Sequence, residues 1–321
     1  MSNLPELPTW QIQDASKIQS YMTCPRKYFY EHVLGWRSTL PNVHLEAGTG
    51  IHLSLEHLYT HGFDSVGNAF LMFFAHYRKH FPPDMDEGNS PKNPACVERA
   101  LFEYTNVYDS DLSTFQVLHT EVAGSVAISS SRLLYFKVDT ICRGPEGYFC
   151  LEHKTGSRFS TSWAAQWRMK FQVGVYSHVL HCMYPPPEVW GVKINGIFLA
   201  PIPKLRRDGV PYAGARDCEF HRIPIRKNLP AMEAWLEEAL FWSECIEDDF
   251  SRLSSSTDKD SCLGCFRRNT ESCTQYGACP FLDYCSIWHN PLQHVENKPV
   301  EFEVRAWDPR SIEYVTKVVE L

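Results

Sequence analysis

Two strands joined by a tight turn are predicted between Asp139 and Lys154, and this hairpin constrains the fold more than any other feature of the sequence. The turn is Gly144–Gly147, with the sequence Gly-Pro-Glu-Gly, a plausible four-residue loop. Pairing Arg143 with Tyr148 across the loop sets the register of the two strands. The hairpin and its register therefore decide which of the charged side chains meet.

In this register, Asp139 lies directly opposite Glu152, and both side chains project to one face. Lys154 shares that face with Glu152, because alternate side chains of a strand point the same way. A slip of one residue separates the two acids. Two carboxylates and an ammonium form a site for a hard cation, with a charged partner for water or phosphate. A hairpin with a charged, solvated face is the alternative that the pattern alone leaves open.

The composition fits a folded protein with metal-ligating cysteines. With 44% hydrophobic and 13% aromatic residues, the 321-residue chain can bury one large core, with room for a smaller appendage. No apolar run of about 18 residues predicts a membrane span, and residues 1–10 lack the features of a secretion signal. We therefore expect a cytoplasmic protein, in which twelve cysteines indicate metal or cluster ligands more than disulfides.

Hydrophobic periodicity predicts helices, then a meander of strands, then further helices with another strand. Helices are expected from about residue 49 and over 16–35, 66–81, 93–108, 162–183 and 228–250. Strands are expected over 115–122, 133–142, 148–154 and 189–199. This order predicts an α/β or α+β fold, a short mixed central sheet flanked by helices.

The helix predicted over 162–183 carries two polar residues that suit a site beside the hairpin. Gln172 and Tyr176 are four residues apart and share one helix face. If Ala165 and Met169 continue that face, it packs against the sheet with Gln172 near the hairpin lysine. The alternative is a core tyrosine and a solvent-facing glutamine.

One histidine, His52, follows a Gly48-Thr49-Gly50 segment that we expect to open its helix with room for close backbone approach. A structural histidine is the alternative. An imidazole in an otherwise oxygen-ligated site suits Mn²⁺ somewhat better than Mg²⁺.

The charge of the chain is distributed unevenly. Residues 228–250 contain seven acids and no Lys or Arg, so the charge of this segment equals the net charge of the whole chain, −7. Residues 204–227 carry a basic surplus that could follow a phosphate backbone. A solvated loop beside a solvated acidic helix is the alternative. The candidate DNA-binding residues in the basic segment are Lys204, Arg206, Arg207 and Arg222.

Four motifs resemble, in their order and spacing, those of RecB-class PD-(D/E)XK nucleases. They are Gly48-x-Gly50-x-His52, Asp139, Glu152-His153-Lys154-Thr155-Gly156 and Gln172-x-x-x-Tyr176. The resemblance covers His52 to Tyr176, and the cysteines extend it almost to both ends. Lys137-Val138 departs from the pattern, since a Gly is frequent ahead of the aspartate in such families.

The resemblance implies a restriction-endonuclease-like core and a metal-dependent DNA nuclease. It assigns the binding of Mg²⁺ or Mn²⁺ to His52, Asp139, Glu152 and the carbonyl of His153. Lys154 would position or deprotonate the attacking water and offset developing charge. Beside the ion we expect a depressed Lys154 pKa, which favours the role of a base. The site and the DNA would be oriented by Gln172 and Tyr176.

Four cysteines near the two ends of the chain form the second constellation. One is N-terminal and three are C-terminal with five residues between neighbours: Cys24, Cys273, Cys279 and Cys285. They resemble the ligands of iron–sulfur RecB-class nucleases, including AddB-type subunits, which implies a structural [4Fe–4S] cluster that fastens the ends of the domain. A zinc site with Cys262-x-x-Cys265 and two later cysteines is one alternative, although it leaves Cys24 unexplained. Free buried thiols are the other.

Together these features predict an exonuclease on single-stranded or end-bearing DNA in recombination, repair or DNA processing, with the end preference implied by the resemblance. The sequence has no Gly-x-x-x-x-Gly-Lys-Ser/Thr motif, so unwinding would come from a helicase or recombination partner. The competing hypothesis is a catalytically silent DNA-binding or scaffold protein with a structural zinc site. The expected segments are an N-terminal helical segment (1–45), a nuclease core (46–255) with a helical insertion (60–112), and a Cys-rich segment with a C-terminal tail (256–321).

Overall fold

The computed structural model describes residues 4, 7–203, 206, 215–275, 278–311 and 315–321. The chain forms two compact units, and each unit is discontinuous in sequence. Unit 1 consists of Met1–Leu40, Ser125–Phe136 and Leu229–Ser311. Unit 2 consists of Pro41–Gly124, Lys137–Asn228 and Ile312–Leu321.

Helices and strands alternate in blocks along the described residues. The helices are α1 (Ala15–Thr23), α2 (Pro25–Tyr28), α3 (Val43–His61), α4 (Val66–Arg78), α5 (Pro94–Val107), α6 (Asp111–Thr114), α7 (Thr161–Gln166), α8 (Phe171–Met183), α9 (Leu229–Leu253) and α10 (Leu282–Ile287). The strands are β1 (Trp36–Ser38), β2 (Gln116–Ala127), β3 (Leu133–Gly144), β4 (Gly147–Gly156), β5 (Val189–Phe198), β6 (Glu219–Ile225), β7 (Phe302–Val304) and β8 (Lys317–Glu320). Within the described ranges, no helix has both the length and the apolar character that crossing a bilayer requires.

Six strands of the described chain form a mixed sheet in the order β6-β5-β4-β3-β2-β8. Strands β3 and β4 are antiparallel, β4 and β5 are parallel, and β5 and β6 are antiparallel. The parallel pair needs a crossover connection, which α7 and α8 supply. A mixed central sheet flanked by helices confirms the predicted fold class.

The β3–β4 turn is tighter than the predicted four-residue loop, because Gly144 pairs with Gly147 and leaves two residues between them. Gly147 has a φ of 126°, a conformation that favours glycine. A Cβ atom at this position would lie 2.2 Å from the carbonyl oxygen of Glu188. The predicted pairing of Arg143 with Tyr148 is confirmed.

The core of unit 2 lies between helices α3, α4 and α5 and one face of the sheet. Phe149 and Leu151 of β4 join a buried cluster with Leu55 and Leu58 of α3 and Phe73 of α4. Since alternate residues of a strand face opposite sides, this apolar face of β4 is the one opposite Glu152 and Lys154. The hairpin thus buries one face in the core and keeps the charged residues on the other.

Helix α3 begins at Val43, six residues before the predicted start, because the Asn42 side chain accepts a hydrogen bond from the amide of His44 and caps the helix. Gly48 and Gly50 therefore lie within the helix, and the expectation that they open it is wrong. A Cβ atom on Gly50 would lie 2.7 Å from the ring of Phe73. Gly50 instead allows close contact between α3 and α4.

Two predicted helices are divided in the structure. The one predicted over 16–35 begins at Ala15 behind an Asp14 cap and is interrupted at Cys24, whose extended backbone precedes Pro25. The helix predicted over 162–183 is broken at Lys170, which has an extended ψ of 130°. Met169 is 82% exposed, so it does not continue the buried face as expected.

Candidate active site

The hairpin places its two acids on one face, as the register requires. Oδ2 of Asp139 accepts a hydrogen bond of 2.8 Å from the backbone amide of His153, and the ladder at Thr140–Leu151 puts Asp139 next to Glu152. Both acids are buried. Neighbouring strands therefore hold two carboxylates where water has little access.

Lys154 contacts the second of these acids. Its Nζ atom lies 2.5 Å from Oε1 of Glu152 and 5.8 Å from the ring centroid of Trp167. Burial favours the neutral amine, but the charges of Glu152 and Asp139 outweigh it and raise the pKa of Lys154. The expected depression of this pKa concerns Lys154 beside a bound ion and stays a prediction.

Glu152 itself is held in an unusual environment. Burial and the neighbouring charge of Asp139 raise its pKa to about 7, against the opposing effect of Lys154. Among the described residues, its second oxygen, Oε2, is buried without a hydrogen-bond partner. A buried acceptor in this condition costs free energy unless a donor or a cation meets it.

Helix α3 brings His52 to the same site. Its Nδ1 atom lies 3.2 Å from Oδ1 of Asp139. Burial opposes the charged imidazole, but Asp139 raises the pKa of His52 to about 9. The reciprocal charge of His52 overcomes the effect of burial and holds the pKa of Asp139 well below its usual range. The histidine and the aspartate thus form a tightly coupled pair beside the hairpin.

Glu121 of β2 also belongs to this site, and the sequence interpretation missed it. Its carboxylate lies with ligand atoms of His52 and Asp139 in a group whose members are all within 4.8 Å of one another, and it is paired with Lys137 at 2.8 Å. Burial and the charge of Asp139 raise its pKa to about 7. Its φ of 45° is rare for a residue with a side chain and interrupts the alternation of the strand. This backbone distortion gave no signal in the sequence.

Gln172 and Tyr176 lie together on α8, as predicted from their spacing. The Gln172 side-chain amide donates a hydrogen bond of 2.6 Å to the Tyr176 hydroxyl. Burial raises the pKa of Tyr176 well above its ordinary value, and the charge of Glu152 and a side-chain hydrogen bond to it add to the effect. The pair therefore adjoins the Glu152 carboxylate.

The side chain of His153 points to the core face of β4, so its backbone carbonyl is the group that the predicted metal role concerns. Its Nδ1 atom lies 2.8 Å from Nδ2 of Asn195, which also donates to the Tyr104 hydroxyl at 2.8 Å. Burial lowers the pKa of the imidazole to about 3. A neutral, fixed His153 keeps its backbone amide aimed at Asp139.

Arg222 joins the same buried network. Its guanidinium binds both oxygens of Asp111, with Nη1 at 2.5 Å from Oδ1, and its Nη2 donates to the Tyr59 hydroxyl at 3.0 Å. Asp111 is 4% exposed. The charge of Arg222 thus has a partner within the protein, and its predicted contact with DNA stays a prediction.

The other candidate DNA-binding residues fall in or beside a segment that is largely outside the described residues. Lys204 and Arg207 lie outside them, whereas Arg206 is described and exposed. Their role stays a prediction.

The four predicted cluster cysteines lie in one part of unit 1. Sγ of Cys24 accepts a hydrogen bond of 3.4 Å from the amide of Asn269, whose carbonyl oxygen is 4.0 Å from Sγ of Cys273. Burial raises the thiol pKa values of Cys279 and Cys285, and the nearby thiols of Cys24 and Cys273 raise them further. The structure therefore brings the N-terminal cysteine to the three C-terminal ones.

The alternative pair, Cys262 and Cys265, is arranged differently. Cys262 is exposed, while Cys265 is fully buried and lies 3.9 Å from the Ser256 hydroxyl. The described residues form two groups of three metal-ligand atoms within 4.8 Å of one another, and neither group contains a cysteine. A zinc ion with four thiolates, at Zn–S distances of about 2.3 Å, would place the sulfur atoms closer together than that.

Comparison with known families gives one match and one negative result. Residues 15–286 match the family described as the PD-(D/E)XK nuclease superfamily. A search of curated proteins gave no significant match. The matched range includes His52, the hairpin acids, Lys154 and all four candidate cluster cysteines.

Proposed function

Because the chain belongs to the PD-(D/E)XK nuclease superfamily, we propose that it is a metal-dependent nuclease that hydrolyses phosphodiester bonds of DNA at the β3–β4 hairpin. The observation that carries the proposal is the placement of Asp139 and Glu152 on one buried face, with Lys154 at 2.5 Å from Glu152. This placement combines acceptors for a hard cation with a positive charge for the phosphate.

The donor set fits Mg²⁺ or Mn²⁺. The ligands would be His52, Asp139, Glu152 and the carbonyl of His153. The buried, unpartnered Oε2 of Glu152 supports this assignment, because a cation would satisfy it. When bound, the ion polarises the phosphate and lowers the pKa of a coordinated water. The imidazole among oxygen donors favours Mn²⁺.

The remaining residues orient the reacting groups. Lys154 donates to Oε1 of Glu152, which fixes the carboxylate and sets a positive charge beside the site, where it would hold the attacking water and offset charge that develops on the phosphate. Gln172 donates to Tyr176, and the tyrosine in turn orients Glu152.

We further propose an exonuclease that acts on single-stranded or end-bearing DNA, in the manner of RecB-class enzymes. The half-buried ring of Trp163, which packs edge-to-face on the buried Trp167 with ring centroids 5.4 Å apart, and the exposed Arg168 support a single-stranded substrate. Aromatic rings and basic side chains are the groups that bind unpaired bases and backbone. Unwinding would come from a helicase or recombination partner.

The cysteine group is proposed to hold a structural [4Fe–4S] cluster through Cys24, Cys273, Cys279 and Cys285. The contacts that join Cys24 to the Asn269–Cys273 region support it. The thiol pKa values of Cys279 and Cys285, which Cys24 and Cys273 raise, also support one shared group of ligands. Its role would be to hold unit 1 together, because phosphodiester hydrolysis transfers no electrons.

A cleavage assay with an aspartate variant of the site and a lysine variant outside it tests the nuclease proposal. End-labelled linear and circular single-stranded DNA are incubated with Mg²⁺ or Mn²⁺ and either wild type, Asp139→Ala or Lys193→Ala. Lys193 also forms a lysine–glutamate pair, 3.2 Å from Glu146, on the neighbouring strand β5. We expect the linear DNA to be degraded by wild type and Lys193→Ala, and the rate to fall at least about 10³-fold in Asp139→Ala.

Three other outcomes would change the conclusion. Equal cleavage by wild type and Asp139→Ala would reject the assigned site. Binding of DNA without cleavage under any metal condition would favour the scaffold hypothesis. Equal cleavage of linear and circular DNA would retain the nuclease and reject its preference for ends.

A further inference from the structure

A second group of metal-ligand side chains lies between α3 and α4, apart from the hairpin site. Nε2 of His76 lies 3.1 Å from Oε2 of Glu46, and Nε2 of His80 lies 3.3 Å from the same oxygen. All three ligand atoms are within 4.8 Å of one another. We propose that Glu46, His76 and His80 bind Zn²⁺.

The packing of the two helices produces this arrangement. Glu46 and Gly50 are four residues apart and share the face of α3 that meets α4. A Cβ atom on Gly50 would lie 2.7 Å from the Phe73 ring and 3.6 Å from Cδ2 of His76. The glycine therefore permits the close approach that brings His76 to Glu46. His80 lies one turn after His76, since the amide of His80 bonds to the carbonyl of Tyr77 at the end of α4.

Two of the three separations between the ligand atoms match those around zinc, and the third, between the two nitrogens, is within 4.8 Å. In a tetrahedral site with bonds of about 2.0–2.1 Å, neighbouring ligand atoms lie about 3.3 Å apart. The two observed edges, 3.1 and 3.3 Å, are close to this value. Hydrogen bonds from two imidazoles to one carboxylate oxygen would give similar nitrogen–oxygen distances without a metal. The experiment must therefore count the bound metal itself.

The identity of the donors selects the class of ion. Two imidazole nitrogens and one carboxylate oxygen form a set typical of zinc, and three protein ligands leave a fourth position for water. Mg²⁺ prefers oxygen donors throughout, so it would not compete well here. The hairpin site and the Glu46–His76–His80 site thus differ in their donor atoms. Supplying Mg²⁺ or Zn²⁺ should therefore distinguish the two sites.

The surroundings predict the strength of binding. His76 is buried and well fixed, whereas the side chains of Glu46 and His80 are 25% and 33% exposed, which gives an ion access. Among the described residues, Nδ1 of His76 has no hydrogen-bond partner. An outer acceptor usually strengthens a zinc-bound imidazole. We therefore expect weaker binding than at structural zinc sites, and an ion that ties α3 to α4.

The test counts zinc on the full chain after treatment with a chelator, by competition with a chromophoric zinc indicator. Asp139→Ala serves as the background, so that the hairpin site contributes less to the count. We expect His80→Ala to weaken the binding of one zinc equivalent by more than about 100-fold, because loss of an outer-shell partner alone costs about 10–100-fold. Glu46→Gln, which keeps the side-chain size, should lose the same equivalent. Excess Mg²⁺ should not displace it.

Another pair of histidines, which lies on α3, provides the control. His57 and His61 are also four residues apart, and their rings stack with centroids 4.3 Å apart, but the described residues provide no third ligand atom that completes a group with them. His61→Ala should keep the full zinc count. Zinc should raise the melting temperature of the background protein and leave that of His80→Ala unchanged. Equal zinc affinity in the background protein, His80→Ala and Glu46→Gln, or an equal loss in His61→Ala, would overturn the proposal.

Discussion

The hairpin site and the cysteine group are assembled from the chain in opposite ways. The hairpin site takes Asp139, Glu152 and Lys154 from two adjacent strands that one turn connects. The cysteine group takes Cys24 from the N-terminal part and its other members from the region that ends at Cys285, and both parts belong to unit 1. The two acids and the lysine of the hairpin site are therefore local in sequence, whereas the four cysteines are not.

The difference teaches which physical interactions each site depends on. The geometry of the hairpin site follows from a strand register, so single substitutions there alter chemistry while the strands remain paired. The position of Cys24 depends on contacts between distant segments, such as the bond of 3.0 Å from Nε of Arg26 to the carbonyl of Phe266. Substitutions in the cysteine group should therefore affect the stability of unit 1 more than the chemical step.

The largest expected effect comes from Cys24→Ser. With one of four thiolates removed, we expect loss of most bound iron and of the visible absorbance after anaerobic purification, together with a lower melting temperature. Structural metal centres can carry on the order of 10 kcal/mol of binding free energy that also stabilises the fold, as zinc peptides illustrate. Iron analysis and thermal denaturation measure both changes.

The matched control is Cys262→Ser, which removes an exposed thiol from the same unit. It should keep its iron and its melting temperature. If wild-type protein purified without oxygen contains no iron, the cluster proposal fails. If it contains zinc that depends on Cys262, the alternative zinc site is correct.

The next largest effect is expected from Lys154→Met, which removes the charge and keeps a long side chain. The rate of cleavage should fall about 10³-fold, or about 4 kcal/mol, because a preorganised positive group beside the phosphate is lost. Iron content should not change. Cleavage kinetics, with Lys193→Met as the control, measure the effect. A rate within threefold of wild type would remove Lys154 from the catalytic group.

The part of the fold that could be predicted from sequence is the part determined by short-range patterns. The hairpin register was predictable, because strand alternation and a Gly-rich turn specify it locally, and Arg143 pairs with Tyr148 as expected. The break at Lys170 was not predictable, since apolar spacing continues across it while the backbone becomes extended. The early start of α3 was missed because the cap on Asn42 is a single hydrogen bond that periodicity does not record.

The same distinction applies to the sites. His52, Asp139, Glu152 and Lys154 were predicted to share one site because their motifs occur in order, and the structure brings these residues together. Glu121 was missed because its position depends on a positive φ, which strand alternation cannot anticipate. The pairing of Arg222 with Asp111 spans 111 residues and has no local signal, so a basic segment was interpreted from charge alone.

Arg222→Gln tests how far the local site depends on distant support. Breaking the ion pair leaves Asp111 buried and without its cation, so the free energy of unfolding should fall by about 3 kcal/mol. Denaturant unfolding measures this loss, with the exposed Arg226→Gln as the control. Unchanged stability together with weaker DNA binding would show instead that the guanidinium serves the substrate.

The smallest expected effect comes from Glu121→Gln, which asks whether the hairpin site is as local as its motifs suggest. The Glu121 carboxylate, the His52 imidazole and the Asp139 carboxylate have ligand atoms within 4.8 Å of one another, so removing the charge of Glu121 should weaken the field that attracts a cation. We expect the Mn²⁺ concentration for half-maximal cleavage to rise about tenfold, or about 1.4 kcal/mol. Metal titrations measure the change, with the exposed Glu146→Gln as the control. An unchanged requirement for metal would restrict the site to residues of α3 and the hairpin. A tenfold rise would make β2 a third contributor, brought in by a backbone distortion rather than by a motif.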